Sequence, residues 1–150
     1  MYLYQPEADI YLNRLKENFR YIQSLVGSAK VMAVVKANAY GHGIIPIAKT
    51  LSKSGVHGFC VALACEAEEL INSGIQEPIL HLGQIHKRNF ELYNSGQVHC
   101  TINSMEDVKE LEHYYRGSGS VKAHLKIDSG MGRMGVRFEE TESIMKVLYD

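Results

Sequence analysis

Apolar residues along the chain follow two alternating rhythms. Leu12, Leu15, Phe19 and Ile22 recur at helical spacing and predict a helix over about 13–26, with Gly27 placed to stop it. Residues 31–35 are then apolar without alternation, the pattern of a parallel strand covered on both faces. A glycine-bearing turn leads to a second helix with Ile44, Ile47, Ala48 and Leu51 on one side. The unit repeats: strands are predicted over 59–63, 78–82, 98–102 and 121–128, and helices over 66–73, 87–95, 105–115 and from 139 onward. Ser104-x-x-Asp107 has the form of a capping box, and Gly117 sits just past the end of that helix.

Strands alternating with helices imply parallel βαβ units. Right-handed crossovers wind such units into either an open doubly wound sheet or a (β/α)₈ barrel. A complete barrel takes about 250 residues, so 150 residues with five strands amount to five of its eight units. The fold expected is α/β, a partial TIM (β/α)₈ barrel incomplete at the C-terminus, with residues 1–150 forming its N-terminal part. No linker, low-complexity tract or second domain interrupts the pattern.

Composition narrows the function. The chain is 45% hydrophobic and 22% charged, as in ordinary globular proteins. A net charge of −1, with both signs interspersed, leaves no footprint for nucleic acid or an anionic membrane. No apolar run approaches the ~20 residues that span a bilayer, and Met1 to Asp9 carries acids rather than a basic leader, so a cytoplasmic protein is expected. Cys60, Cys65 and Cys100 read as reduced, mostly buried thiols, and without Cys-x-x-Cys or a spaced Cys/His set no metal site is expected.

Lys36 follows an apolar strand and precedes a tight turn, at the sheet edge where ligand chemistry gathers in both parallel architectures. An ammonium against low-dielectric walls is costly, and burial lowers a lysine pKa by up to ~3–5 units. A Schiff base with an aldehyde cofactor removes that charge. A lysine snorkelling from the strand end into solvent satisfies the same position.

The longer string Val34-Val35-Lys36-Ala37-Asn38-Ala39-Tyr40-Gly41-His42-Gly43 resembles the cofactor-lysine signature of the alanine racemases, pyridoxal-phosphate enzymes of fold type III. Resemblance implies that Lys36 binds pyridoxal 5'-phosphate covalently and moves the substrate proton on one face, and that Tyr40 donates its hydroxyl to the cofactor phosphate. Gly41 and Gly43 suit the turn by their backbone freedom, and His42 reads as a hydrogen-bonded packing element.

A second segment, His124-Leu125-Lys126-Ile127-Asp128-Ser129-Gly130-Met131-Gly132-Arg133-Met134-Gly135, also resembles that family. The resemblance makes Arg133 a catalytic and cofactor-binding residue, bonded to the cofactor's phenolic oxygen, and Lys126 the residue that orients it, often as a carbamate. An unmodified lysine would repel the guanidinium, whereas a carbamate pairs with its fork. The same segment contains Gly130-x-Gly132-x-x-Gly135, a match to the dinucleotide fingerprint with Asp150 at a suggestive distance. That fingerprint must open a helix, but residues 136–138 read as extended.

Likeness extends over most of the chain, through residues 7–18, Glu66-Ala67-Glu68-Glu69-Leu70, Gly74-Ile75 and 78–83. It implies a parent that interconverts L- and D-alanine, supplies D-alanine for cell-wall peptidoglycan and works as a homodimer. It also implies that further cofactor contacts come from later barrel strands, and that the opposing base is a tyrosine from a C-terminal β domain of the partner subunit. Alone, the 150 residues are therefore expected to be nearly inactive and, with open sheet edges, to self-associate. A non-catalytic pyridoxal-phosphate carrier on a related barrel is the alternative, and a nucleotide-binding domain using the glycine string is a third reading. Other polar groups carry no chemistry in this reading. Glu66, Glu68 and Glu69 favour the first turn of a helix; His81 is a strand residue and His86 a loop residue; Tyr114 and Tyr115 close a helix; Asn103 is placed to cap one.

Overall fold

The computed structural model describes residues 7–115 and 120–149. Gly117 and Asp150, read as a helix stop and a ribose-binding acid, lie outside the described residues.

Five strands form one parallel sheet in the order β1 (Met32–Val34), β2 (Gly58–Val61), β3 (Ile79–His81), β4 (Val98–Ile102), β5 (Ala123–Leu125). The order never reverses, and this decides between the two architectures. A doubly wound sheet needs a switch point where strands turn back toward the other edge, whereas successive one-strand steps build a barrel wall. The fold is a partial α/β barrel. Its outer helices are α1 (Leu12–Leu25), α3 (Ile44–Ser52), α4 (Ala64–Asn72), α5 (Phe90–Asn94), α6 (Met105–Tyr114) and α7 (Thr141–Tyr149). A short left-handed turn, α2 (Lys36–Tyr40), lies between β1 and α3. Among the described residues, no helix is long and apolar enough to cross a membrane.

Register separates the two faces of the wall. Phe59 pairs with Ile79, Ile79 with Val98, and Ile102 with Leu125. Phe59, Val61, Ile79, Val98 and Cys100 are fully buried on the helix side. On the inner side, at the alternate positions, Cys60 and Thr101 are buried, whereas Val34, Leu80, His99 and His124 are half-buried or exposed. Most hydrophobic stabilisation therefore comes from the helix side, at roughly 25 cal/mol per Å² of apolar surface removed from water.

The helix predicted over about 13–26 forms as α1; of its apolar stripe Phe19 is buried, Leu12 and Leu15 pack partly buried against the core, and Ile22 is 45% exposed beside an open groove of about 530 Å³. One expectation needs correction. The predicted fifth strand is not continuous over 121–128. It breaks at Lys126, whose N–H donates to Ile102 O (2.9 Å) while its carbonyl accepts from Val136 N–H (2.8 Å). Beyond the break, β6 (Ile127–Asp128) pairs with β7 (Val136–Arg137). Cys60 and Cys100 are buried as expected, but Cys65 is exposed.

Candidate active site

Lys36 opens α2 directly after the buried Val35, whose N–H donates to Cys60 O at 2.9 Å. The expected tight turn is a left-handed one. Ala37, Asn38, Ala39 and Tyr40 all have φ between 52° and 54°, although none is glycine. Left-handed helix costs an L-residue roughly 1–2 kcal/mol, so such a run persists only where its surroundings over-determine it.

Those surroundings are visible. Ala39 N–H donates to Val35 O (2.8 Å), Gly41 N–H to Ala37 O (3.0 Å) and Gly43 N–H to Asn38 O (3.0 Å). The Asn38 side chain accepts from Ile44 N–H (2.8 Å), capping the first turn of α3. His42 Nδ1 donates to Ala39 O at 2.7 Å, which makes His42 the hydrogen-bonded element its sequence suggested. The Ala39 methyl is buried, and Gly41 and Gly43 carry the chain onward at φ 85° and 89°. Lys36 emerges half-buried and Tyr40 60% exposed, both at the carboxyl end of β1.

One further partner was not foreseen from the sequence. Glu66 sits in the first turn of α4, as expected for an acid near a positive helix end, but it is buried. Its Oε2 accepts from Ala62 N–H (2.9 Å) and Leu63 N–H (3.0 Å), and its Oε1 accepts from Ala37 N–H. The capping half of this role is written in the position of Glu66 within its helix. The contact to Ala37, 29 residues away, has no local signal.

The second motif lies at the other edge strand, again beyond the carboxyl end. Lys126 is half-buried at the break after β5, and Arg133 is exposed on the following loop. Asp128 Oδ1 accepts from Gly130 N–H (2.9 Å), and the amides of Gly130, Gly132 and Met131 hold that carboxyl below its usual pKa. Gly130, Gly132 and Gly135 all have positive φ. The glycine string leads into β7, and α7 begins only at Thr141, so no helix N-terminus faces it as a dinucleotide site requires. Lys36 and Tyr40 thus share one turn, and Lys126 and Arg133 one corner. Among the described residues, no hydrogen bond or ion pair joins these four; the ion pair found lies on the surface of α7, between Lys146 and Glu142.

The remaining polar groups are structural. His81 is buried: its Nε2 donates to Ala62 O (3.1 Å) and its Nδ1 accepts from Tyr93 Oη (2.7 Å). His86 Nδ1 accepts from Arg88 N–H. Asn103 does not cap α6. Ser104 Oγ does, accepting from Asp107 N–H (3.2 Å), while the Asn103 amide donates to Thr101 O.

Comparison with known proteins agrees with the fold. The family model described as alanine racemase, N-terminal domain, matches residues 10–150. The chain is 39% identical over 141 residues to an alanine racemase of Halothermothrix orenii, covering 93% of this chain and 37% of that protein. The crystal structure of alanine racemase from Bacillus anthracis with bound L-Ala-P superposes with a TM-score of 0.83 at 34% identity, covering 95% of this chain and 39% of that one. A histidine racemase from Leuconostoc mesenteroides has nearly the same fold, with a TM-score of 0.82 at 26% identity, covering 92% of this chain and 38% of that one. The chain thus spans less than two fifths of the length of each of these relatives.

Proposed function

The chain belongs to the alanine racemase N-terminal domain family, and from that premise we propose that it forms the lysine-bearing part of a pyridoxal-phosphate-dependent racemase that interconverts L- and D-alanine. The observation that carries the proposal is the turn holding Lys36 and Tyr40 at the carboxyl end of β1, strained and fixed from several sides. An amine, a phenol and a guanidinium around one sheet edge suit an aldehyde that also bears a phosphate and a phenolic oxygen. Bound there, pyridoxal phosphate would supply an electron-withdrawing ring that stabilises negative charge at a substrate α-carbon.

The chain's own groups divide the remaining work. Lys36 Nζ would hold the cofactor through its aldehyde group and would take and return the α-proton on its own face. The exposed Tyr40 hydroxyl donates to the phosphate. Arg133 would donate to the phenolic oxygen, and Lys126, as a carbamate, would pair with the guanidinium and orient it. Racemisation needs a second acid–base group on the opposite face. In this reading that group is a tyrosine of a C-terminal domain in a homodimeric parent, the 150 residues alone are inactive, and their open edge strands favour self-association. Alanine as substrate is favoured by the alanine racemases among the sequence relatives, because the histidine racemase shares the fold; D-alanine for peptidoglycan is what the resemblance of the motifs implies.

The test is a titration with pyridoxal 5'-phosphate. A visible absorbance band that survives dialysis and is absent in Lys36→Ala is the expected result. No band in the wild-type chain would defeat cofactor binding by these residues on their own. A stable band without racemase activity fits either an inactive racemase part or a non-catalytic carrier. Activity restored by the missing racemase segments supplied in trans separates the two.

A further inference from the structure

We infer that Glu66 is the positioning residue for Lys36, holding the left-handed turn that presents the amine. The inference rests on the reading of Lys36 as the cofactor-bonding lysine, and it assigns Glu66 no contact with cofactor or substrate.

The argument starts from a comparison inside the chain. Two of its helices begin with an acid at the same place, third from the start: Glu66 in α4 and Asp107 in α6. Asp107 Oδ2 reaches back to Asn103 N–H (2.7 Å), two residues before its helix begins. Glu66 Oε2 does the equivalent job with Ala62 and Leu63 N–H. An aspartate is therefore long enough to close such a corner. Glutamate adds a methylene, and Glu66 uses it: Oε1 stands free of the helix start and takes the N–H of Ala37, the residue after Lys36. That contact is surplus to helix capping.

Ala37 is also where the left-handed run begins, at φ 52°. A charged acceptor there makes a bond about twice as strong as a neutral one. With three backbone donors, the buried carboxylate has little capacity left for a ligand. It is a clamp, not an acid or base.

The clamp is itself braced. Ala62 donates its N–H to Glu66 and accepts at its carbonyl from His81, which accepts in turn from the Tyr93 hydroxyl. His81 and Tyr93 are both buried. Gly83 packs against this junction so closely that a Cβ would stand 2.6 Å from Ala62 O and 2.7 Å from His81 Nε2. A chain of polar contacts thus runs from α5 through β3 and the end of β2 to the turn carrying Lys36.

The experiment uses the 150-residue chain, with pyridoxal 5'-phosphate and borohydride as the probe. Peptide mass spectrometry reads the label at Lys36 against the exposed Lys49 and Lys109, and amide exchange reads residues 37–43 and the first turn of α4 separately. In Glu66→Gln, an amide NH₂ replaces one acceptor oxygen and faces backbone donors. Exchange over 37–43 should speed up by on the order of tenfold or more, and the preference for Lys36 should fall by a similar factor. Glu66→Asp is the discriminating variant. It should keep the first turn of α4 protected, as Asp107 does for α6, and still lose protection at 37–43 and selectivity at Lys36. A mere helix cap would move both regions together in every variant, and that result overturns the inference. So does unchanged exchange and unchanged Lys36 selectivity in Glu66→Asp. If the wild-type chain labels Lys36 no faster than Lys49, the cofactor reading fails, and exchange over 37–43 still decides whether Glu66 holds the turn.

Discussion

The Lys36 turn and the Arg133 loop both lie beyond the carboxyl ends of parallel strands, yet they are built on opposite plans. The Lys36 turn puts four non-glycine residues in left-handed conformation and holds them with backbone bonds, the Asn38 side chain, the Glu66 carboxylate and the buried Ala39 methyl. The Arg133 loop places glycine at each positive φ it needs and turns its amides toward one carboxylate, that of Asp128, with Gly130 N–H donating to it. Around it, Met131 is 77% and Phe138 79% exposed. Strain at the first is tolerated because tertiary contacts over-determine the backbone. At the second there is little strain to restrain, and nothing among the described residues fixes the guanidinium. One half of the candidate site is preorganised by packing; the other is shaped by glycine and left open.

The sharpest way to break this contrast is to overfill the turn. Ala39→Val adds a β-branched side chain at φ 53°, in a site where the methyl is already buried. Overpacking and left-handed strain together should cost about 3 kcal/mol, read as a lower midpoint in urea. A variant within about 1 kcal/mol of wild type, a third of that cost, would show that the turn yields, and that the packing account of it is wrong.

The loop should respond less, and unevenly. A Cβ at Gly135 would sit 2.9 Å from Asp128 N and 3.1 Å from Lys126 O, against the backbone of β6, whereas at Gly132 it would meet nothing within 4 Å. Gly135→Ala should therefore cost about 2 kcal/mol from clash and strain, and Gly132→Ala about 1 kcal/mol from strain alone. Equal costs would mean that β6–β7 pairing contributes nothing. A Gly132→Ala variant as damaging as Ala39→Val would erase the distinction between the two regions.

The sequence made one of these regions far easier to read than the other. Glycines at 130, 132 and 135 announce a loop with positive φ, and extended residues after them already argued against a dinucleotide site. Ala37 and Ala39 announce nothing, since alanine has no preference for the left-handed region. The motifs singled out Lys36, Tyr40, Lys126 and Arg133, which all lie beyond the carboxyl ends of parallel strands, and apolar periodicity found the strands and helices. Strand order was out of reach of periodicity, because a barrel wall and a doubly wound sheet bury the same apolar runs. The break at Lys126 was hidden for a related reason: both partners of its backbone, Ile102 and Val136, come from other segments. Glu66 was read correctly as a helix-start acid and incompletely as a tie to Ala37, and the difference between the two is a tertiary contact.

The smallest effect expected is a pH dependence that reaches the turn from behind. Burial lowers the His81 pKa from its ordinary 6.5, opposed by its bond to the Ala62 carbonyl and by the Glu66 charge. The folded chain therefore gives up this proton at lower pH than the unfolded chain. Between the two values the unfolded state binds more protons, so stability rises with pH there and is lost as pH falls below 6.5 toward the folded value. Structure supplies the reason: the ring is buried, and a proton on Nδ1, which accepts from the Tyr93 hydroxyl, would force that hydroxyl to turn and accept instead. His99 is shifted in the same direction, by burial and then by His124, Lys122 and His57, so the overall slope does not identify His81. His81→Gln does. Urea midpoints at pH 7.5 and 5.5 should lie closer together in that variant than in wild type, even though its midpoint at pH 7.5 is lower. Since His81 braces Ala62 and Ala62 braces Glu66, the same acidification should lower amide protection factors, corrected for the intrinsic exchange rate at each pH, more over 37–43 than over 130–135. An equal loss of protection in the two regions would mean that the contact chain from Tyr93 to Ala37 does not transmit the change.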